Sequence, residues 1–283
     1  MERSVAENDI SIRKSSEVAK YLAQIDPADA DGDFYNEVFK NSEEVRLVCC
    51  DDCVVGLVLI RQEDGFLYVY IFPEYRQRGY GFPAAGAAER QLYDGGCICL
   101  GTAYDSRNEA ARRFAEKCGF VKRSSTCMMK YRGERFEHPE IPVRKYRDED
   151  FLEAYTLSAE AFHIMRVETG HDPDSVPYAP DEEARQYCAD TAEGRYVYEL
   201  DGEIIGCANV DGAELDNVAI RIDHQGKGFG KVFVKFLVNE ILDKGVGDPF
   251  LYCLAVNQKA RRLYDSLGFE EVFCNVFAVK TVI

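Results

Sequence analysis

One pattern occurs twice in this chain. Residues 76–81 read Arg-Gln-Arg-Gly-Tyr-Gly and residues 225–230 read Gln-Gly-Lys-Gly-Phe-Gly, both of the form (Gln/Arg)-x-x-Gly-x-Gly. Each follows an apolar run of strand character and opens a stretch of helical character. A second shared block follows each at the same distance. Asn108 and Gly119 lie 29 and 40 residues after Gly79, and Asn257 and Gly268 lie 29 and 40 residues after Gly228. Both blocks read Asn, then Ala-Arg-Arg three residues on (Ala111 to Arg113, Ala260 to Arg262), then Gly-Phe. Two gapless copies of a four-part pattern make the chain an internal duplication, so one fold has to be built twice.

Glycines let the backbone turn tightly and approach a ligand with no Cβ in the way. A strand–loop–helix junction aims free backbone N–H groups and the positive helix end at one point, which suits a phosphate or diphosphate. A tight turn without a ligand remains the plainer alternative for either copy alone.

The whole array resembles the GCN5-related N-acetyltransferases (GNAT), which bind acetyl-coenzyme A through a (Gln/Arg)-x-x-Gly-x-(Gly/Ala) loop. The resemblance covers both halves and implies an α/β (α+β) class fold: two tandem GNAT-type domains, each a mixed, mostly antiparallel sheet flanked by helices. Residues 1–135 and 140–283 are the expected domains, parted within the polar, proline-bearing segment 132–142. The halves open alike, with strand-like Ile10–Lys14 and Ile141–Lys145, then hairpin signals at Val45–Ile60 and Arg195–Val210. Phe66–Phe72 and Leu215–Ile222 read as the strands feeding the glycine loops. Cys97–Ala103 and Pro249–Val256 lead to helices capped by Asn108 and Asn257, and Ser125–Tyr131 and Val272–Val279 close each half. Pro83 falls in the first turn of its helix, where it is tolerated. The second half carries 19 more residues before its hairpin (Arg144 to Gly206 against Arg13 to Gly56), around His163–Tyr187. They read as a longer loop between helices, in the region that forms the wall facing the acceptor in this family.

The resemblance also implies where catalysis sits. A carboxylate base often lies on the strand entering the loop, and a tyrosine acid in the helix after the Asn block. The second half has both: Glu214, with Asp216 on the same strand face as the alternative base, and Tyr264, four residues before Gly268. In the first half the matching positions are Gly65 and Ala115, so that half is expected to be degenerate. Ala219, Ile220 and Arg221 supply amides for the acetyl carbonyl. Gln225, Gly226, Lys227, Gly228, Phe229 and Gly230 hold the diphosphate, and Asn257 and Arg262 complete the acetyl-CoA site. Arg76, Gln77, Arg78, Gly79, Tyr80, Gly81 and Asn108 would form a second site. The implied function is acetyl transfer from acetyl-CoA to a primary amine of a small cationic acceptor, the charge being inferred from Glu160, Glu168, Asp172 and Asp174. A non-catalytic acyl-CoA-binding regulatory module and a protein or peptide N-acetyltransferase are the alternatives. His163 and His171 read as surface or packing residues rather than bases.

The net charge of −16 argues against nucleic acid and anionic membrane as partners. Coenzyme A is anionic too, but basic residues gather near the loops: Arg76, Arg78, Arg112 and Arg113 at the first, Arg221, Lys227, Lys231, Arg261 and Arg262 at the second. No apolar run approaches a bilayer span, and the first residues lack a signal-peptide core, so a cytoplasmic enzyme is expected. A homodimer is compatible with the sequence. The 11 cysteines read as reduced and buried, with Cys97, Cys99, Cys207 and Cys253 in apolar runs. Cys50 and Cys53 flank a turn, and no metal site is expected.

Overall fold

The computed structural model describes residues 10–25, 39, 43–137 and 140–281. The first half contains β1 (Ile10–Arg13), α1 (Val18–Leu22), β2 (Val45–Cys50), β3 (Cys53–Arg61), β4 (Phe66–Ile71), α2 (Gly81–Asp94), β5 (Cys99–Asp105), α3 (Glu109–Lys117) and β6 (Val121–Tyr131). The second contains β7 (Val143–Lys145), α4 (Phe151–Thr169), α5 (Glu182–Asp190), β8 (Arg195–Leu200), β9 (Glu203–Asp211), β10 (Glu214–Ile220), α6 (Phe229–Lys244), β11 (Phe250–Leu254), α7 (Gln258–Leu267) and β12 (Phe269–Thr281). Pro83 sits in the first turn of α2 without ending it, because no intrahelical bond needs its missing N–H there.

These elements form two compact units, the chain to Ser125 together with Asn275 onward, and Thr126–Cys274. In the first, the order is β1-β2-β3-β4-β5 followed by the end of β12, whose Asn275–Thr281 run antiparallel to β5. In the second it is β7-β8-β9-β10-β11 followed by the end of β6, whose Thr126–Lys130 run antiparallel to β11. The pairings are antiparallel except β4 with β5 and β10 with β11. The sequence reading kept each closing strand in its own half. Each instead starts in its own unit and ends in the other. At 11 and 13 residues these strands outrun one sheet edge, and alternation fixes which face a side chain takes but not which edge the strand joins.

The expected linker is likewise packed. Asn239 of α6, 2% exposed, accepts from the Phe136 amide (2.8 Å) and donates to its carbonyl (3.0 Å), and Arg135 pairs with Asp243. One face of the second sheet is sealed by Phe233, Val234, Leu237, Val238 and Ile241 of α6 against Leu215 and Ile220. The other is covered by Ala154, Leu157 and Ala161 of α4 against Val197, Ile204 and Ala219. Each valine, leucine, isoleucine or phenylalanine so buried contributes about 1.5–3 kcal/mol, and each alanine less.

Two expectations change. His163–Thr169 is the last two turns of α4, and α5 follows, so the extra residues lengthen and add helix, leaving a loop only between them. The αL residue Gly170 ends α4, a stop that a reading focused on the prolines passes over. Among the cysteines, Cys127 and Cys274 form a disulfide, against the all-reduced reading. Cys253 is buried and Cys97 and Cys207 partly so, but Cys99 is exposed, because its run lies at the start of β5. Cys50 and Cys53 stand opposite each other across the β2–β3 turn.

The duplicated asparagines cap helices: Asn108 Oδ1 accepts from the Ala111 amide (2.9 Å), and Asn257 Oδ1 from the Ala260 amide (3.1 Å). Asn257→Ala should cost about 1 kcal/mol, read as a lower urea midpoint at unchanged m-value. An unchanged midpoint would remove the cap from the list of what holds α7.

Candidate functional site

Strand β10 enters the site through a β-bulge. Glu214, Leu215 and Asp216 face Asp211, Val210 and Asn209 of β9, and the register then shifts before Ala219 pairs with Cys207. The extra residue is accommodated by Asn217 in a left-handed conformation (φ 51°), and its amide Nδ2 donates to Asp216 Oδ2 at 2.6 Å. Asparagine tolerates this backbone better than most residues, and bulges of this kind re-aim side chains next to sites. The corresponding pair in the first unit, β3 with β4, runs without such a shift from Gly56/Ile71 to Arg61/Phe66.

On its other edge β10 pairs with β11 only at Glu214/Phe250 and Leu215/Leu251, so the two strands part beyond Leu215. The Arg221 amide donates to the Ile205 carbonyl on β9 (2.8 Å). Alternation then turns the Ile220 amide to the opposite edge, toward the split. The Ile220 carbonyl points there too, accepting from Gln225 Nε2 at 2.9 Å. Of the three expected carbonyl-polarising amides, only that of Ile220 therefore faces the split. The Arg221 amide is spent on β9, and its guanidinium is neutralised by Asp223 (2.9 Å) and Glu203 (2.7 Å).

The loop after β10 has the expected form. Gly226 (φ 74°) and Gly228 (φ 93°) adopt left-handed conformations, and nothing lies within 4 Å of where a Cβ would stand on either. Glycine is needed there for its backbone and leaves the concave side clear. Gly228 is the N-cap of α6, with Phe229 and Gly230 in the first turn, where amides have no intrahelical acceptor. Lys227 and Lys231, in and just after the loop, and Arg262 on α7 are exposed, while Lys259 Nζ holds Gln225 Oε1 at 2.8 Å. The first loop repeats this construction. Arg76 Nε donates to the Ile71 carbonyl at 2.9 Å, and Gln77 (φ 61°) and Gly79 (φ 89°) are left-handed. Tyr80 and Gly81 lead into α2, and the Arg78 guanidinium stands over the Tyr75 ring. Arg112 and Arg113, however, pair with Glu109 and Glu116 on their own helix, so they are not free for a diphosphate.

Glu214 is half-buried, and its carboxyl is raised above the ordinary range by burial, then by the charges of Asp216 and Asp211. Both Glu214 and Asp216 line a cavity of about 340 Å³ with Tyr187, Arg195 and Asn209. Glu193 and Asp211 complete its acidic wall. The acidic residues singled out from the sequence, Glu160, Glu168, Asp172 and Asp174, do not line it. His163 Nδ1 lies 3.1 Å from the Pro173 carbonyl and its ring stacks edge-on to Tyr178, so it holds the α4–α5 loop. His171 lies beside Asp172.

Tyr264 is 8% exposed and packs on Phe269 in the core under α6. Burial, then Cys253 and Asp216, hold its phenol well above the usual range and therefore protonated. The influence of Asp216, on β10, places this phenol within electrostatic reach of the strand that carries the expected base. Asn257 has its Oδ1 committed to capping, which leaves Nδ2 to donate. The first unit has Gly65 and Ala115 at the positions of Glu214 and Tyr264, and a void of about 20 Å³ remains beside Ala115. Its other sheet face is filled by Leu57, Leu59, Tyr68 and Tyr70, each no more than 6% exposed.

Sequence reasoning missed Asn217 and Arg195. Asn217 left only a weak trace, an Asp-Asn pair inside a strand. Arg195 read as the first residue of an ordinary hairpin strand.

The acetyltransferase (GNAT) family model matches residues 12–120 and again 153–269. The [ribosomal protein bS18]-alanine N-acetyltransferase of Escherichia coli (strain K12) is 39% identical over 62 residues, 22% of this chain and 42% of that protein. The Haemophilus influenzae protein of the same name is 42% identical over 74 residues, 25% of this chain and 50% of that one. The chain thus spans about half or less of these curated relatives. Among solved structures, a GCN5-related N-acetyltransferase from Sphaerobacter thermophilus superposes with a TM-score of 0.67 at 18% identity, covering 97% of this chain and 96% of that one. A tandem GNAT protein from the clavulanic acid biosynthesis pathway superposes with a TM-score of 0.58 at 13% identity, covering 96% and 98%. Both likenesses are of fold.

Proposed function

Because this chain belongs to the acetyltransferase (GNAT) family, we propose that its second unit transfers an acetyl group from acetyl-CoA to the primary amine of a small acceptor, in one ternary complex. The observation that carries this reading is the bulged strand β10. It presents two carboxylates to a cavity on one side and, past the bulge, an unspent amide to the split on the other. The residues fit the donor: two left-handed glycines with clear space on their Cβ side stand at the N-terminus of α6, and such a terminus favours a diphosphate. Acetyl-CoA supplies the activated acyl group as a thioester.

Glu214 takes a proton from the acceptor's ammonium, its raised carboxyl pKa bringing it nearer to that task. The amine nitrogen then forms its bond to the acetyl carbon as the carbon–sulfur bond breaks. Tyr264, held protonated by burial, gives its proton to the departing sulfur. The Ile220 amide faces the split and would stabilise negative charge developing on the acetyl oxygen. Asp216, tied by Asn217, is the alternative base. Glu193, Asp211, Glu214 and Asp216 together favour an ammonium over a neutral or anionic acceptor group. The soluble partner is then a small molecule, and acetyl-CoA the co-substrate.

The first unit, on this reading, keeps the loop and has lost the chemistry. Its strand is unbulged, its acid and base positions are alanine and glycine, and the face that would receive an acceptor is filled. Calorimetric titration with acetyl-CoA tests the proposal. Uptake by the wild type, abolished by Gly228→Val while the first loop is intact, is the expected outcome, together with amine-dependent thiol release. A β-branched residue at φ 93° is strained, and its methyls fill the clear side of the loop. No uptake and no thiol release with any amine would end the reading.

A further inference from the structure

Among the described residues, Arg195 is the one cation lining the acidic cavity. Strand pairing explains how it comes to be there. Arg195 of β8 stands opposite Asn209 of β9, and Asn209 stands opposite Asp216 of β10. The three form a row across one sheet face, with the Arg195 and Asp216 backbones two strand spacings, about 10 Å, apart. The guanidinium is held firmly by neutral groups. Nε donates to Thr191 Oγ1 (2.8 Å), Nη1 donates to Asn209 Oδ1 (3.2 Å), and the Tyr187 ring lies under it at 5.3 Å. Among the described residues no carboxylate pairs with it, although the chain carries an excess of them. Its Nη2 edge is left without a partner.

A half-buried arginine fixed in place with one edge unused is arranged to receive a planar anion. A second observation points the same way. Arg195 also lines a neighbouring cavity of about 200 Å³ whose walls include Tyr146, Phe151 and Tyr155. The Tyr146 side chain is 7% exposed, and its hydroxyl is buried with no hydrogen-bond partner. Such an orphan is costly unless something polar enters the cavity beside it.

We propose that the acceptor is zwitterionic: its ammonium sits against Glu214 and Asp216, its carboxylate is read by Arg195, and its remaining bulk enters the aromatic-walled cavity beside Tyr146. This rests on the acyl-transfer reading above. The acceptor class is then free amino acids and similar amino acids with separated amine and acid groups. A protein N-terminus presents an amide where these present a carboxylate, so the same arginine discriminates against it.

The test compares matched acceptors with the whole 283-residue chain: a panel of amino acids, their methyl esters and their carboxamides, each with acetyl-CoA and thiol release as the readout. The expected result is a kcat/KM at least tenfold higher for the acids than for their esters and amides. In Arg195→Met, KM for the acids should rise at least tenfold and the acid-to-ester ratio fall to about one. Transfer to esters or amides as good as to acids overturns the inference while leaving the transferase reading standing. An Arg195→Met protein that slows acids and esters alike also overturns it, because a purely structural arginine does that. Acetyl-CoA uptake with transfer to no member of the panel overturns it as well, and absence of uptake overturns the transferase reading itself.

Discussion

Tyr264→Phe is expected to lower kcat about 100-fold, the scale of one general acid, while the dissociation constant for acetyl-CoA stays within about twofold. The substitution removes one oxygen and keeps the ring against Phe269, so packing barely changes. On the proposed mechanism, what goes is the proton donor for the departing sulfur, a group held protonated across the neutral range by burial and by the nearby Cys253 and Asp216. Steady-state kinetics and calorimetry on the same preparation separate the two effects. Equal kcat in both proteins would mean that sulfur leaves without this phenol. The mirror-image substitution is informative as well: Ala115→Tyr in the first unit adds a phenol beside a 20 Å³ void but leaves Gly65 where a base would be, so it should add no activity.

Glu214→Gln is expected to lower kcat/KM by about 10²-fold or more and to erase the acid limb of the pH profile. The carboxyl must be ionised to accept a proton, so activity rises with pH through its pKa. That pKa is raised above the ordinary 4.5 by burial, Asp216 and Asp211, which moves the limb toward neutrality. Asp216→Asn removes one of the charges that oppose ionisation, so it should shift the limb to lower pH with a much smaller loss at the plateau. If Asp216→Asn collapses the plateau and Glu214→Gln does not, the two carboxylates exchange roles. Stability runs in the other direction. A carboxyl with a raised folded-state pKa contributes most below its unfolded value, and that contribution is lost as pH rises through the folded one. Glu214→Gln should therefore be no less stable than the wild type near pH 7, so lost activity cannot be put down to unfolding.

The duplication, the strand–loop–helix junctions and the capping asparagines were legible because each rests on local chemistry: glycine at left-handed positions, a short polar side chain at a helix start, alternation along a strand. The acids singled out from the sequence do not meet the cavity. Residues 160–174 looked acidic in sequence, whereas the cavity takes its carboxylates from β9, β10 and the turn before β8. Which acids converge depends on cross-strand register, and a bulge at Asn217 resets that register in a way no periodicity reveals. The Arg221 amide failed for the same reason, since only the pairing shows that Ile205 claims it. Arg195 had no signal at all until its row of neighbours was known.

Each sheet of this protein is finished by chain from the other repeat: Thr126–Lys130 for one, Asn275–Thr281 for the other. A gene fragment covering only the second repeat would therefore encode an enzyme missing a rib, with a bare β11 edge and an orphaned tail inviting pairing with strangers. Neither repeat can be discarded once the ends have been traded. Whatever chemistry each one performs, the first is needed as scaffolding for the second, which is reason enough for a duplicated gene to keep both copies.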